Sequence, residues 1–139
     1  MSRIMAIDYG KKRTGIAVSD SLQIIANGLT TVATQELLPF IQNYLKKEAV
    51  QTIVVGMPKQ TSGEDSENAG RVKDFISKLK AQLPHVEVKT WDERFTSVMA
   101  HQTMIDAGLK KTARRNKALV DEISATFILQ SYMEYNVKR

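Results

Sequence analysis

The 139-residue chain has no cysteine. A disulfide framework, a thiolate nucleophile and Cys-ligated zinc or iron–sulfur chemistry are therefore excluded, and the composition suits a reducing compartment. No run of about 18 apolar residues occurs, so no membrane span is expected. The opening stretch Met1–Ile7 meets a charge at Asp8, too early for the apolar region of a secretory signal. A cytoplasmic protein with no membrane partner is the expectation. With two histidines, His85 and His101, a zinc site has too few ligands, and each reads better as a surface residue. No Pro/Gly/Ser-rich linker or internal repeat divides the sequence, and 42% hydrophobic with 25% charged residues is ordinary for a globular chain. One domain over residues 1–139 follows as the expectation.

What is present in excess is positive charge, and it is local. Lys11, Lys12 and Arg13 form a triplet, and Lys110, Lys111, Arg114, Arg115 and Lys117 put five cations into eight residues. Without those eight cations the chain holds 12 basic against 15 acidic residues. Two basic segments on an acidic body suit a polyanion, although a solvated, solubilising face reads the same way. Neither segment is rich in aromatics, so shape and phosphate contacts should matter more than base stacking.

The hydrophobic pattern is that of an α/β protein. Arg3–Asp8 and Thr14–Ser19 read as strands joined by a hairpin, and Ala26–Val32 as a weaker third strand. Leu37, Leu38, Ile41, Tyr44 and Leu45 recur at helical spacing, with Pro39 tolerable near the helix start. Thr52–Gly56 is a β-branched run of the kind buried on both sheet faces, hence central and parallel. A helix through Ala69, Val72, Ile76, Leu79 and Leu83 is stopped by Pro84, and Val86–Trp91 alternates as a strand. A helix through Val98, Met99, Ile105 and Leu109 should end at Gly108, and Lys117–Tyr135 forms the last helix, packed on the sheet through Ile123, Phe127, Ile128 and Leu129. Parallel strands would bring the ends near Asp8, Gly56 and Glu93 to one sheet edge, where open α/β sheets bind ligands.

Three acids stand out at that edge. Asp8 ends an apolar strand, where a carboxylate is costly unless paired, hydrogen-bonded or held on a cation. Lys11, Lys12, Arg13 or an Asx turn onto Gly10 would serve as well. Of Asp92 and Glu93, only one shares Asp8's side of the sheet, and Asp92 has a competing duty as a helix N-cap. Asp121 shares a helical stripe with Ala125, Ile128 and Tyr132, and its simplest alternative is a pair with Lys117. If Asp8, Glu93 and Asp121 gather, they need counter-charge, and hard divalent cations such as Mg²⁺ or Mn²⁺ take such oxygen ligands. Two such ions about 3.5 to 4 Å apart would activate water against a phosphodiester.

The stretch Ala6–Asp20 (AIDYGKKRTGIAVSD), with Val54–Pro58, Trp91–Ser97 (WDERFTS) and Val120–Ala125 (VDEISA), resembles the YqgF family in four motifs spanning nearly the whole chain. The resemblance implies an RNase H-like domain related to RuvC-type resolvases, with a five-stranded mixed sheet of order 3-2-1-4-5 flanked by helices. It implies a nuclease, in 5′-end processing of pre-16S rRNA or in Holliday-junction resolution. Asp8, Glu93 and Asp121 match the family's acids and would be the metal ligands and catalytic residues. Arg94 and Thr96 would lie close by, and the segments around Lys11 and Lys110 would bind nucleic acid, either pre-rRNA or branched DNA. The sequence departs from the pattern in two places. The loop 59–68 is more acidic than a Gly-rich form, and Ser124 stands where the resolvases carry a second helix acid. Glu122 points about 100° away from Asp121 on a helix.

Two other readings keep this fold. A nucleic-acid-binding adaptor in ribosome assembly or transcription needs the basic loops and not the catalysis. A nucleotide-binding domain of the actin and sugar-kinase group would use Asp8-Tyr9-Gly10 with the Thr14-Gly15 turn as its phosphate loop, but that group needs two such domains. A resolvase must be a homodimer to cut two strands, whereas trimming of an rRNA end works as a monomer.

Overall fold

A computed structural model describes residues 2–57, 67–92 and 117–137. Five strands, β1 (Arg3–Asp8), β2 (Arg13–Ser19), β3 (Ala26–Ala33), β4 (Val50–Met57) and β5 (Glu87–Asp92), form one sheet of order β3-β2-β1-β4-β5. Pairs β1–β2 and β2–β3 are antiparallel, and β4 is parallel to both β1 and β5. This is the mixed α/β topology that the sequence resemblance implies, with its antiparallel start and parallel crossovers. The expected helix over residues 98–109 and its Gly108 terminus lie outside the described residues.

Alternation along the strands divides the core in two. Met5 and Ile7 of β1, with Ile16, Val18, Ile53 and Val55, face helices α1 (Leu37–Lys47) and α2 (Glu67–Gln82), meeting Leu37, Ile41, Val72, Phe75 and Leu79. On the other face Ile4, Ala6, Ala17 and Val54 meet Ala125, Ile128, Leu129, Tyr132 and Met133 of α3 (Lys117–Val137). Those five helix residues fall at i, i+3, i+4, i+7 and i+8, one stripe of an α-helix. Ile123 and Phe127, on which the sequence reading relied for the same packing, lie beside the stripe and stay half-buried.

The small residues Ala6 and Ala17 let α3 come close to the sheet, and two glycines bring it closer still. A Cβ on Gly15 of β2 would overlap the Asp121 carbonyl and stand 2.9 Å from the Glu122 amide nitrogen. A Cβ on Gly28 of β3 would sit 2.9 Å from Cγ of Glu122. The first turns of α3 thus rest on bare backbone at β2 and β3.

The connection from β2 to β3 is ordered by one carboxylate. Oδ1 of Asp20 accepts hydrogen bonds from the amides of Ile24 and Ile25, both at 2.8 Å, and Oδ2 accepts one from Leu22 at 3.2 Å. Gln23 takes a left-handed φ of 58° and donates its side-chain amide to the Ser2 carbonyl at 2.8 Å. These amide donors, Ile25 foremost, hold the Asp20 pKa below its ordinary 3.8. A depressed carboxylate pKa adds stability that is present above 3.8 and is lost as the pH falls through the lower folded value. The amide proton resonances of Ile24 and Ile25 should therefore titrate with a midpoint below 3.8, and Asp20→Asn should abolish that titration. A midpoint at or above 3.8 would show that the carboxylate does not hold the loop.

Candidate active site

The site is built at the C-terminal end of β1. In the β1–β2 pair Asp8 lies directly opposite Gly15. Directly opposed residues of an antiparallel pair share a sheet face, with Cα atoms about 4.5 to 5.5 Å apart. Asp8 also has the parity of Ile4 and Ala6, so its side chain emerges on the α3 side. There Gly15 is capped by the backbone of Asp121 itself. Strand register and helix contact thus bring two acids 113 positions apart to one end of one sheet face.

Asp121 is not left without counter-charge. Nε of Arg13, the first residue of β2, donates to its Oδ2 at 3.2 Å. The two side chains are 39% and 25% exposed, so the pair adds no more than about 1 kcal/mol. Its consequence is positional, since it fixes the Asp121 carboxylate at the β2 side of the helix. The sequence reading had Lys117 as the alternative partner of Asp121. The structure pairs it with Arg13, itself one of the expected nucleic-acid contacts, and the side chain of Lys117 lies outside the described residues.

Glu122 takes another direction. Its Cγ, Cδ and Oε1 lie 2.5 to 3.1 Å from where a Cβ of Gly28 would be, over β3 and beyond β2 from β1. It does not replace the second helix acid that Ser124 lacks. The approximate 100° between neighbouring helix positions is enough to separate Asp121 from Glu122.

At β5 the alternation separates Asp92 from the site. Trp91 pairs with Gly56 and packs on the α3 side, whereas Asp92 pairs with Met57, which packs on the α1–α2 side. Of the Asp92–Glu93 couple, Asp92 is thus the one turned away from Asp8. Glu93 and Arg94 lie outside the described residues, as do Lys110, Lys111, Arg114 and Arg115 and the side chain of Lys117. Among the described residues no group of three His, Asp or Glu side chains is gathered.

Trp91 is the single tryptophan of the chain. It sits edge-on to Tyr132 at 6.0 Å and to Tyr135 at 5.6 Å, with its buried indole Nε1 lacking a hydrogen-bond partner among the described residues. It is a built-in fluorophore on the same sheet face as Asp8.

The basic triplet is held by its own turn. The Thr34 hydroxyl donates to the Gly10 carbonyl at 2.7 Å and meets the Thr14 hydroxyl at 2.9 Å, while the Thr34 amide donates to the Lys12 carbonyl at 3.0 Å. A Cβ on Gly10 would overlap the Arg13 carbonyl, so the tight return needs glycine. Lys11 and Lys12 are exposed at the tip of this braced turn, beside the Asp8 strand end. Cations on a fixed turn beside the strand end that carries Asp8 can hold a phosphate backbone there.

Gly15 enters the sequence analysis only as part of a possible phosphate-loop turn and Gly28 only as a strand residue, whereas the structure uses both to seat α3. The signal was present, because a glycine inside a strand often marks the close approach of another backbone.

Comparison with known proteins agrees with this architecture. The profile of the RuvX family, described as "Holliday junction resolvase", matches residues 2–135. A protein named "Putative pre-16S rRNA nuclease" from Bacteroides fragilis is 66% identical over 134 residues, covering 96% of this chain and 97% of its own. A protein of the same name from Bacteroides thetaiotaomicron is 63% identical over 134 residues, with the same coverage. Among solved structures, YeaZ from Pseudomonas aeruginosa aligns with 78% of this chain and 50% of its own at 18% identity. Its TM-score is 0.46.

Proposed function

Since this chain belongs to the RuvX family of Holliday junction resolvases, we propose that it is a divalent-metal-dependent nuclease. It hydrolyses phosphodiester bonds in structured nucleic acid, with 5′-end processing of pre-16S rRNA as its role and a four-way DNA junction as the competing substrate. The observation that supports this most is the approach of Asp121 to Asp8 across Gly15, with Lys11 and Lys12 on the adjoining turn.

The donor set fits a hard cation. Asp8 and Asp121 offer carboxylate oxygens only, and together with Glu93 they would hold Mg²⁺ or Mn²⁺. When bound, the cation supplies charge stabilisation at the phosphate and lowers the pKa of a water molecule. The chain's own residues do the rest. Lys11 and Lys12 hold the backbone phosphates, and Arg13 keeps the Asp121 carboxylate in place between turnovers. Gly15 sets the depth of α3 on the sheet and with it the separation of the two acids.

The test is cleavage of a pre-rRNA leader and of a four-way junction with Mg²⁺ or Mn²⁺ at low salt, with Glu93→Gln as a control. Leader cleavage that fails in Glu93→Gln supports the proposal. Both substrates intact with either metal would favour the adaptor reading. In either case affinity should fall steeply with salt, by about 0.7 to 0.9 in the slope of log K against log salt for each phosphate neutralised. A flat salt dependence would remove the basic turn from the account.

A further inference from the structure

The side of the sheet turned away from Asp8 carries a second cleft. It lies between the β1–β2 turn, the turn before α1 and the outer face of α2, and its volume is about 550 Å³. We propose that it binds a nucleotide of single-stranded nucleic acid flanking the bond that is cut. The inference rests on the nuclease reading and extends it from the reacting phosphate to the shape of the substrate.

Three observations carry it. The first is charge. Arg71, Phe75 and Lys78 of α2 stand at i, i+4 and i+7, so that one helix stripe turns two cations into the cleft, and Lys11 adds a third from the turn. Asp74 is the acid in the lining, which leaves a formal excess of two positive charges. Lys11 and Lys78 are exposed and make no ion pair among the described residues.

The second is the floor. The Tyr9 ring lies on buried Phe75 at 5.0 Å between centroids and a 31° tilt, and Leu38 extends the apolar surface. A cavity with an aromatic and apolar floor and three cations in its lining suits a ligand with a flat ring and a phosphate. Its volume is that of a small-ligand site. A base stacked inside a duplex cannot enter such a concavity, whereas an unpaired nucleotide can be splayed into it.

The third is continuity. Asp8 and Tyr9 are consecutive, and strand alternation sends Asp8 to the α3 side and Tyr9 to the α2 side. Lys11 stands on the turn that follows them. A strand whose phosphate lies at Asp8 reaches the cleft by crossing the same sheet edge over Lys11.

The experiment is fluorescence anisotropy in EDTA, where nothing is cut. It compares a blunt RNA hairpin with the same hairpin carrying a single-stranded extension of about six nucleotides on its 5′ or its 3′ side. At about 0.1 M salt one of the two extensions should tighten binding by the wild-type chain roughly tenfold. The double variant Arg71→Ala/Lys78→Ala should reduce that gain to under about twofold and leave the blunt hairpin unaffected. It should also lower the salt slope for the extended RNA by about 1.4, two phosphates' worth for a single strand. Lys78→Glu alone, at an exposed position that disturbs no packing, should weaken only the extended RNA. Equal affinity of the wild type for blunt and extended RNA, or equal losses for both in the variants, would overturn the inference and leave the nuclease reading standing. Failure of the wild type to bind any of these RNAs would instead overturn the rRNA-processing reading, and the inference with it.

Discussion

Asp8→Asn should abolish metal-dependent cleavage while leaving substrate binding intact or slightly tighter. The amide keeps the shape of the carboxylate and removes the charge that a divalent cation needs. A cation at the reacting phosphate is worth several kcal/mol of transition-state stabilisation, and about 4 kcal/mol corresponds to a rate loss on the order of 10³-fold. Removing a negative charge beside Lys11 and Lys12 cannot weaken the hold on a polyanion. The measurement is a single-turnover rate beside an anisotropy titration on the same RNA. Parallel loss of binding and cleavage would show that Asp8 supports the fold instead. Asp8 stands at the end of β1, partly buried and past the core residues Met5–Ile7.

Gly15→Ala should be the most damaging single methyl group in the described part of the chain. The added Cβ meets the Asp121 carbonyl and the Glu122 amide, both backbone atoms of α3, so no side-chain rotation relieves the clash. The helix must lift from β2, loosening Ala125, Ile128 and Leu129 from Ala6 and Ala17. Overpacking of this kind costs about 3 kcal/mol, which for a chain of this length lowers the melting temperature by roughly 10 °C. Trp91, wedged against Tyr132 and Tyr135 of α3, should report the displacement as a changed emission spectrum before unfolding begins. Activity should fall further than stability explains, because an ångström's displacement of a catalytic group costs about 100-fold. A variant with unchanged melting temperature and unchanged Trp91 emission would mean that α3 does not rest on Gly15.

Much of the fold could be read from hydrophobic runs and periods. Arg3–Asp8 was expected as a strand to the residue, and α1 begins at the expected Leu37 with Pro39 in its first turn. The errors are at ends that tertiary contacts decide. β4 starts at Val50, two residues earlier than its β-branched run, because Val50 pairs with Arg3 before a register shift. β5 starts at Glu87, one residue later than its alternation, because the Val86 amide closes a turn onto the Leu83 carbonyl at 3.1 Å. α2 starts at Glu67, before the first apolar residue of its stripe, and ends at Gln82, one residue short of the expected Leu83, whose carbonyl accepts the turn hydrogen bond from Val86. The order of the strands came from the family resemblance, since short runs do not specify which neighbour each strand takes.

The site was legible in part. Asp8 and Asp121 stand out because an acid in an apolar context demands a partner, and the structure rests the Asp121 backbone on Gly15, the residue opposite Asp8. The Arg13–Asp121 pair spans 108 positions and was not foreseen, because local spacing suggested Lys117. Nor did charge counting find the α2 cleft, whose cations are separated in sequence and joined by helical pitch and a turn. Glu93, the third expected ligand, lies outside the described residues, so its place in the site remains part of the proposal.

The claim on which the rest depends is that Asp8 and Asp121 hold one divalent cation between them. Mn²⁺ binding followed by electron paramagnetic resonance tests it without substrate or turnover. The account predicts saturable binding by the wild-type chain that is lost in Asp8→Asn and in Asp121→Asn alike, with both variants unfolding as the wild type does. Binding that survives either substitution, or no saturable binding in the wild type, would contradict it.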